Sequence, residues 1–423
     1  MTGVVVDRVA AWQHSAVEAT SVAGVRSHTA WSVIDQVVSS ASNAVLPLVA
    51  LALLRPEDAG RLSVLLSMVF FALGVCRSLL GETFLLSARP VGGGDDHVNR
   101  EMLGAALILG LLCGVPIAAA AVVLLHAGWS TVPLALGFGA VVLQDTARYA
   151  FFAQIQARRA VVSDVTWLIV FVATVLVLRS RATPASLMVG WILAGSIAGG
   201  VGAWQLRAVP AVRATTAVLR RLARLGAKIG AEYIAVSGLP QALIAIVGLS
   251  GSLAAAGPYR LATTLLTPAG VVVTGVITAL QPVCVRFSDQ PVRLRSYFLR
   301  AAALGSLAVT GCAALVLAVP PSWGRRPFGD AYHAARLLCI PLGLAGMAQS
   351  ASAAANLVVR ARGRVMDAVR VRFGFGLVCL AVSVPAAHRW GGTGVAWLYA
   401  ACSVTAFGGL LLSPALRFRV SAR

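Results

Sequence analysis

One hexapeptide in the middle of an apolar run carries an unusual density of polar chemistry: Gln144-Asp145-Thr146-Ala147-Arg148-Tyr149. Read as a helix, the pairs 144/148, 145/148 and 145/149 fall on one face. A carboxylate and a guanidinium placed this way have two uses. They can neutralise each other and so reduce the cost of leaving water, or they can line a path for a polar, anionic substrate. In the second case arginine supplies the planar donors that suit phosphate oxygens. An ionisable side chain inside a bilayer costs roughly 2.5–3.5 kcal/mol on insertion scales, so each one calls for a partner or a wet cavity. The same demand falls on Asp35, Arg77, Asp164, Glu232 and Arg260, each set within an apolar stretch. Asp35-Gln36 is followed at helical spacing by Ser39, Ser40 and Asn43, and Asp164 by Trp167. A further polar stripe is formed by Gln349, Ser350, Ser352 and Asn356. Such stripes either join helices or line a cavity.

Catalytic spacing is missing. The six histidines show no pair at metal-ligand spacing, and Gly92-Gly93-Gly94-Asp95-Asp96 lacks the GK[ST] of a phosphate loop. The seven cysteines lie in or beside apolar runs with no CxxC, as small buried hydrophobes do. The pattern reads as a conduit rather than an enzyme, with no cofactor and no metal.

The elements that must hold these residues follow from composition. The chain has 423 residues, 58% hydrophobic and 12% charged, with a mean hydropathy of +0.84. Soluble domains run at about 25% charged, so a water-soluble globule is excluded, as is a disordered chain. A bilayer core needs roughly 20 apolar residues per helix. Such runs occur at about 31–54, 62–81, 102–126, 132–154, 161–178 and 184–206, then at 229–250, 259–285, 301–320, 331–358, 373–387 and 391–413. The expected fold is therefore an all-α polytopic membrane protein of about twelve transmembrane helices.

Net charge is +20, which first suggests nucleic acid. Its placement points elsewhere. With the N-terminus inside, 24 cations fall on the inner side and 7 on the outer, the bias expected of topology. The inner set includes six between Arg207 and Lys228, and Arg360, Arg362, Arg364, Arg370 and Arg372. The chain is thus expected N-in and C-in, with no nucleic-acid partner. Its segments are an N-terminal cytoplasmic piece (1–30), a first lobe of six spans (31–206), a basic cytoplasmic linker (207–228), a second lobe (229–413) and a cytoplasmic tail (414–423). The linker is either an amphipathic helix on the inner leaflet or a plain topological spacer. At a fixed lag of 197 residues, Asp35 meets Glu232, Ser40 meets Ser237 and Ala59-Gly60 meets Ala256-Gly257. With six spans per half, this suggests a parallel pseudo-repeat. Gly110-xxx-Gly114 and Gly195-xxx-Gly199 predict close helix contacts.

The order of these features resembles the superfamily of multidrug, oligosaccharidyl-lipid and polysaccharide exporters (MATE/MOP), and within it the actinobacterial-like Wzx-type polysaccharide flippases. The resemblance rests on Asp35-Gln36…Asn43, Arg55-Pro56-Glu57-Asp58-Ala59-Gly60, Gln144-Asp145…Arg148-Tyr149 with Asp164…Trp167, and Gly257…Arg260…Thr264-Leu265-Leu266…Pro268. It implies two lobes in alternating access at the plasma membrane, moving an undecaprenyl-pyrophosphate-linked oligosaccharide for surface polysaccharide synthesis. Membrane lipids and a polysaccharide polymerase are the implied partners. It also implies a substrate cavity that includes Arg77, Arg148, Arg260, Gln144, Tyr149 and Asn43. Asp35, Asp145, Asp164 and Glu232 then either bind a coupling H⁺ or Na⁺ or pair with the arginines. The other reading is a cation-coupled exporter of small molecules with the same fold.

Overall fold

A computed structural model describes residues 22–87, 96–126, 131–362, 364–413 and 416. Residues 1–21, 88–95 with the Gly92-Gly93-Gly94 stretch, 127–130, 363 and nearly all of the tail from 414 lie outside the described residues. Each predicted run falls on a helix: α1 (Val22–Leu53), α2 (Pro56–Arg77), α3 (Asp96–Leu125), α4 (Val132–Ala153), α5 (Ala157–Leu178), α6 (Pro184–Gln205), α7 (Thr215–Tyr233), α8 (Leu239–Ile246), α9 (Leu253–Arg286), α10 (Pro291–Ala318), α11 (Asp330–Ala361) and α12 (Val365–Leu411). Wider π-turns follow α2 at Ser78–Glu82 and flank α8 at Ile234–Gly238 and Val247–Gly251.

Among the described residues, 10 helical segments are long and apolar enough to cross a membrane. Apolar side chains such as Val177, Leu307 and Leu315 are well exposed on them, as a lipid-facing surface requires. This is a multi-pass membrane protein. α4 is not among the ten, because Gln144, Asp145 and Arg148 depress its hydropathy. It has no need of lipid solubility: every residue from Val141 to Arg148 is buried in protein. α12 counts once, although it covers the last two predicted spans. As a straight helix of 47 residues it would be roughly 70 Å long, twice a bilayer. Gly391 breaks it, with φ 58° and ψ −150°, a conformation open to glycine. The chain then folds back, since a Cβ placed on Gly409 would lie 3.1 Å from Val371 and 3.2 Å from Phe375.

Two compact units divide the chain. The first takes the residues up to Leu46 and Val69–Tyr233; the second takes Pro47–Met68 and Ile234–Arg423. α1 and α2 therefore each contribute to both.

In the first unit α4 is gripped from two sides by glycine contacts. A Cβ on Gly110 of α3 would sit 2.6 Å from Gly139 Cα, and one on Gly114 would sit 2.8 Å from the Ala135 carbonyl. On α6, Gly195 faces Trp167 and Val141, and a Cβ on Gly199 would lie 2.9 Å from the Ala140 carbonyl. Both expected Gly-xxx-Gly contacts are present. The linker is helical from Thr215, and its narrow inner face, Val218, Leu222, Gly226 and Gly230, is buried. That face lies on protein, for Gly226 and Gly230 both approach Leu79, while Arg220, Arg221, Arg224 and Lys228 remain exposed.

In the second unit the α1–α2 hairpin is locked to α9. A Cβ on Gly60 would fall 1.7 Å from the Leu253 carbonyl oxygen, so no other residue fits there without moving a backbone. The Arg-Pro-Glu-Asp turn has a local logic. Pro56 opens α2 where its missing N–H costs nothing, and Glu57 and Asp58 complement the helix dipole. Asp58 also accepts from Arg55 and Arg61, both at 3.2 Å.

The turn between α4 and α5 carries a strained residue. The Gln156 N–H bonds back to the Phe151 carbonyl at 2.8 Å, the six-to-one bond of a Schellman cap, which places Ile155 at φ 59°. A β-branched residue is disfavoured there, and Ile155 is 45% exposed, so it packs little. Ile155→Gly is expected to stabilise the first unit by about 1 kcal/mol, read as a higher thermal midpoint of the detergent-purified protein; an unchanged or lower midpoint would contradict the assignment.

Candidate functional site

Five charged side chains from four helices meet in the first unit. Arg148 of α4 lies at the centre. Its Nη2 donates to Asp35 Oδ2 of α1 at 2.6 Å, and its Nη1 to Asp145 Oδ1 at 3.2 Å. Its Nε stands 3.1 Å from Asp164 Oδ2 of α5. Asp145 in turn accepts a two-pronged bond from Arg77 of α2, at 2.9 Å from Nε and 2.7 Å from Nη2. Gln144 completes the group by donating to Asp164 Oδ1 at 2.6 Å and to Ser163 Oγ at 3.1 Å.

Sequence dictates much of this. Asp145 and Arg148 share a face of α4 one turn apart, and Gln144 stands beside them, so a single helix presents donors to α5 and both signs of charge to α1 and α2. The Phe152 ring lies 5.9 Å from the Arg148 guanidinium; on α5 and α6, Trp167 and Trp191 stand 5.0 Å apart between ring centroids, with Phe70 at 6.0 Å from Trp191.

Burial is nearly complete. Side-chain exposure is 0% for Asp35, 5% for Asp145, 3% for Asp164 and 6% for Arg148; Arg77, at 29%, is the accessible member. Three carboxylates face two guanidiniums, one negative charge in excess when all are ionised.

The residues expected to share a substrate cavity therefore divide. Arg148 and Gln144 spend their donors on the protein's own acids, which is the internal-pairing alternative for α4. Tyr149 and Asn43 are half-buried, as Arg77 is, and Tyr149 lies within electrostatic reach of Arg77. Arg260 and Glu232 are not part of the cluster. Arg260, 4% exposed, belongs to the second unit, where it donates to Gln241 Oε1 at 3.1 Å, the Ser63 carbonyl at 3.2 Å and Ser67 Oγ at 2.6 Å. Ser63 is its counterpart at the 197-residue lag. Glu232, half-buried, stands near the end of α7.

One residue was missed as a site candidate. Arg372, counted above among the inner topological cations, is 9% exposed and lines a cavity of about 410 Å³ in the second unit. The signal was present: Ala368, Arg372, Phe375 and Cys379 recur at i, i+4, i+7 and i+11, the inward face of α12.

The fold is that of the MATE/MOP transporters. It superposes on an inward-facing multidrug-resistance MATE-family transporter of the MOP superfamily with TM-score 0.72 and 15% identity, over 90% of this chain and 96% of that one. The lipid II flippase MurJ in an inward closed conformation follows with TM-score 0.68 and 10% identity, over 89% and 86%. A MOP-superfamily transporter from Pyrococcus furiosus gives 0.58 and 14%, over 90% and 93%. No curated protein matches the sequence. Residues 113–335, more than half of the chain, match the polysaccharide biosynthesis protein family, and the protein belongs to that family.

The cluster makes a structural prediction. Arg148→Met leaves three buried acids around an apolar side chain and is expected to cost about 3–5 kcal/mol, whereas Arg148→Lys retains part of the loss. Asp35→Asn combined with Arg148→Met should cost less than the sum of the two single changes. Thermal unfolding of the purified variants measures this, and strict additivity would show that Asp35 and Arg148 do not interact.

Proposed function

We propose that this protein moves a lipid-linked oligosaccharide, carried on an undecaprenyl pyrophosphate, across the plasma membrane for surface polysaccharide synthesis. The observation that carries the reading is the match of residues 113–335 to the polysaccharide biosynthesis family in a chain whose fold is shared with transporters, MurJ among them. The reading includes two six-span lobes, 31–206 and 229–413, as a parallel repeat with both termini cytoplasmic. The contact of Arg260 with Ser63, one repeat length apart, supports a pseudo-twofold axis beside them.

In this reading the five-charge cluster is the energising site. Adding a proton or a Na⁺ to Asp35 or Asp164 relieves the excess negative charge and loosens the hold on Arg148, so that α1, α4 and α5 are free to change their mutual packing. The substrate meets Arg77, Tyr149 and Asn43, the accessible members, and Arg260 when its neutral partners release it. A cation-coupled exporter of small molecules is the second reading, favoured by the acid-rich surroundings of Arg148 and by the multidrug transporters' shared fold.

The two are separated in cells. Deletion of the gene is expected to accumulate one lipid-linked oligosaccharide on the inner leaflet, and Arg77→Ala to reproduce that accumulation at normal protein level. Unchanged lipid-linked pools with a loss of energised efflux of amphipathic cations would overturn the flippase reading in favour of the exporter.

A further inference from the structure

The cavity of the second unit is lined largely by apolar residues and gathers Ser350, Ser352 and Arg372 toward one end, beside Val273 and Phe375. Its register is set by glycine contacts between α10, α9 and α11: Gly305 faces Ser350 and Val273, and Gly346 faces Val309. At one end stand Leu342, Leu266 and Val309; at the other are Ser350, Ser352 and Arg372. Leu342 and Ser352 are about 15 Å apart along α11 at the helical rise of 1.5 Å per residue. Gln349, between the two ends, is oriented by its bond to the Tyr399 hydroxyl. No Asp or Glu occurs among the lining residues of this cavity, and Arg372 is the charged side chain in its wall. At about 410 Å³ it falls within the ~300–1,000 Å³ typical of small-molecule sites.

We propose that this cavity binds an amphipathic phosphate ester, with its phosphate on Arg372 and the neighbouring serine hydroxyls and its hydrocarbon chain along Leu342, Leu266 and Val309. Arginine in a low-dielectric wall is suited to phosphate oxygens, which accept from its fork and from hydroxyls together. A tail-bearing anion matches both ends of the lining, whereas a free anion matches one. The site deepens the flippase reading and rests on it for its biological role, but its occupancy is measured without transport.

The test uses the full-length protein in phosphatidylcholine nanodiscs and calorimetric titration with dodecyl phosphate, inorganic phosphate and dodecanol. Dodecyl phosphate should bind the unaltered protein at least about tenfold more tightly than it binds Arg372→Gln, with Arg372→Lys between them. Gly270→Leu is the control that keeps the cation and fills the space, since a Cβ there meets nothing within 4 Å; it should abolish binding as well. Equal binding by Gly270→Leu would place the anion outside the cavity and overturn the proposal. Dodecanol binding as tightly as dodecyl phosphate would remove the role of Arg372, and inorganic phosphate doing so would remove that of the apolar end. If cells lacking the protein accumulate no lipid-linked oligosaccharide while the cavity binds as described, the transport reading fails and the site stands. The converse pair of results removes the site and leaves transport intact.

Discussion

Everything in the first unit depends on keeping Arg148 away from lipid with its charge answered. A single guanidinium touching Asp35, Asp145 and Asp164 ties α1, α4 and α5 together, and Arg77 adds α2 through Asp145. The rest of the unit serves that demand. Glycines on α3 and α6 bring their backbones close to α4, and the Phe152 ring lies 5.9 Å from the Arg148 guanidinium. The polar stretch of α4 is thereby buried in protein, while its apolar first turns, with Leu136 69% exposed, stay at the surface.

The second unit solves its charge problem differently. Arg260 is held by an amide oxygen, a backbone carbonyl and a serine hydroxyl, and Arg372 lines a cavity whose walls carry no acid. The two units thus present opposite chemistries, acid-rich in one and cation-bearing in the other.

Hydropathy made the helices legible, and the small-residue spacing made the contacts of Gly110, Gly114, Gly195 and Gly199 legible, because both are local properties of the chain. The members of the charged cluster were also visible, as polar residues in apolar runs. Their pairing was not. Asp35 and Arg148 are 113 residues apart, and no periodicity encodes which acid a buried arginine will meet. Arg372 was misread for a related reason: near a span end, a cation that orients insertion and a cation that faces a cavity have the same sequence neighbours until the helical phase is checked. The assignment of Pro47–Met68 to the second unit follows from the Gly60–Leu253 approach, a contact that hydropathy does not register.

The cluster also has a history within each newly made chain. Asp35 and Arg77 precede α4 in the order of synthesis, while Asp164 follows it by eleven residues past Ala153. When α4 leaves the ribosome, its arginine and aspartate already have counter-ions waiting on α1 and α2, and the last acid arrives with the next helix. The chain order itself acts as an assembly chaperone: the most polar span enters the membrane after the partners it needs, and a circular permutation that put α4 first would have to insert it bare.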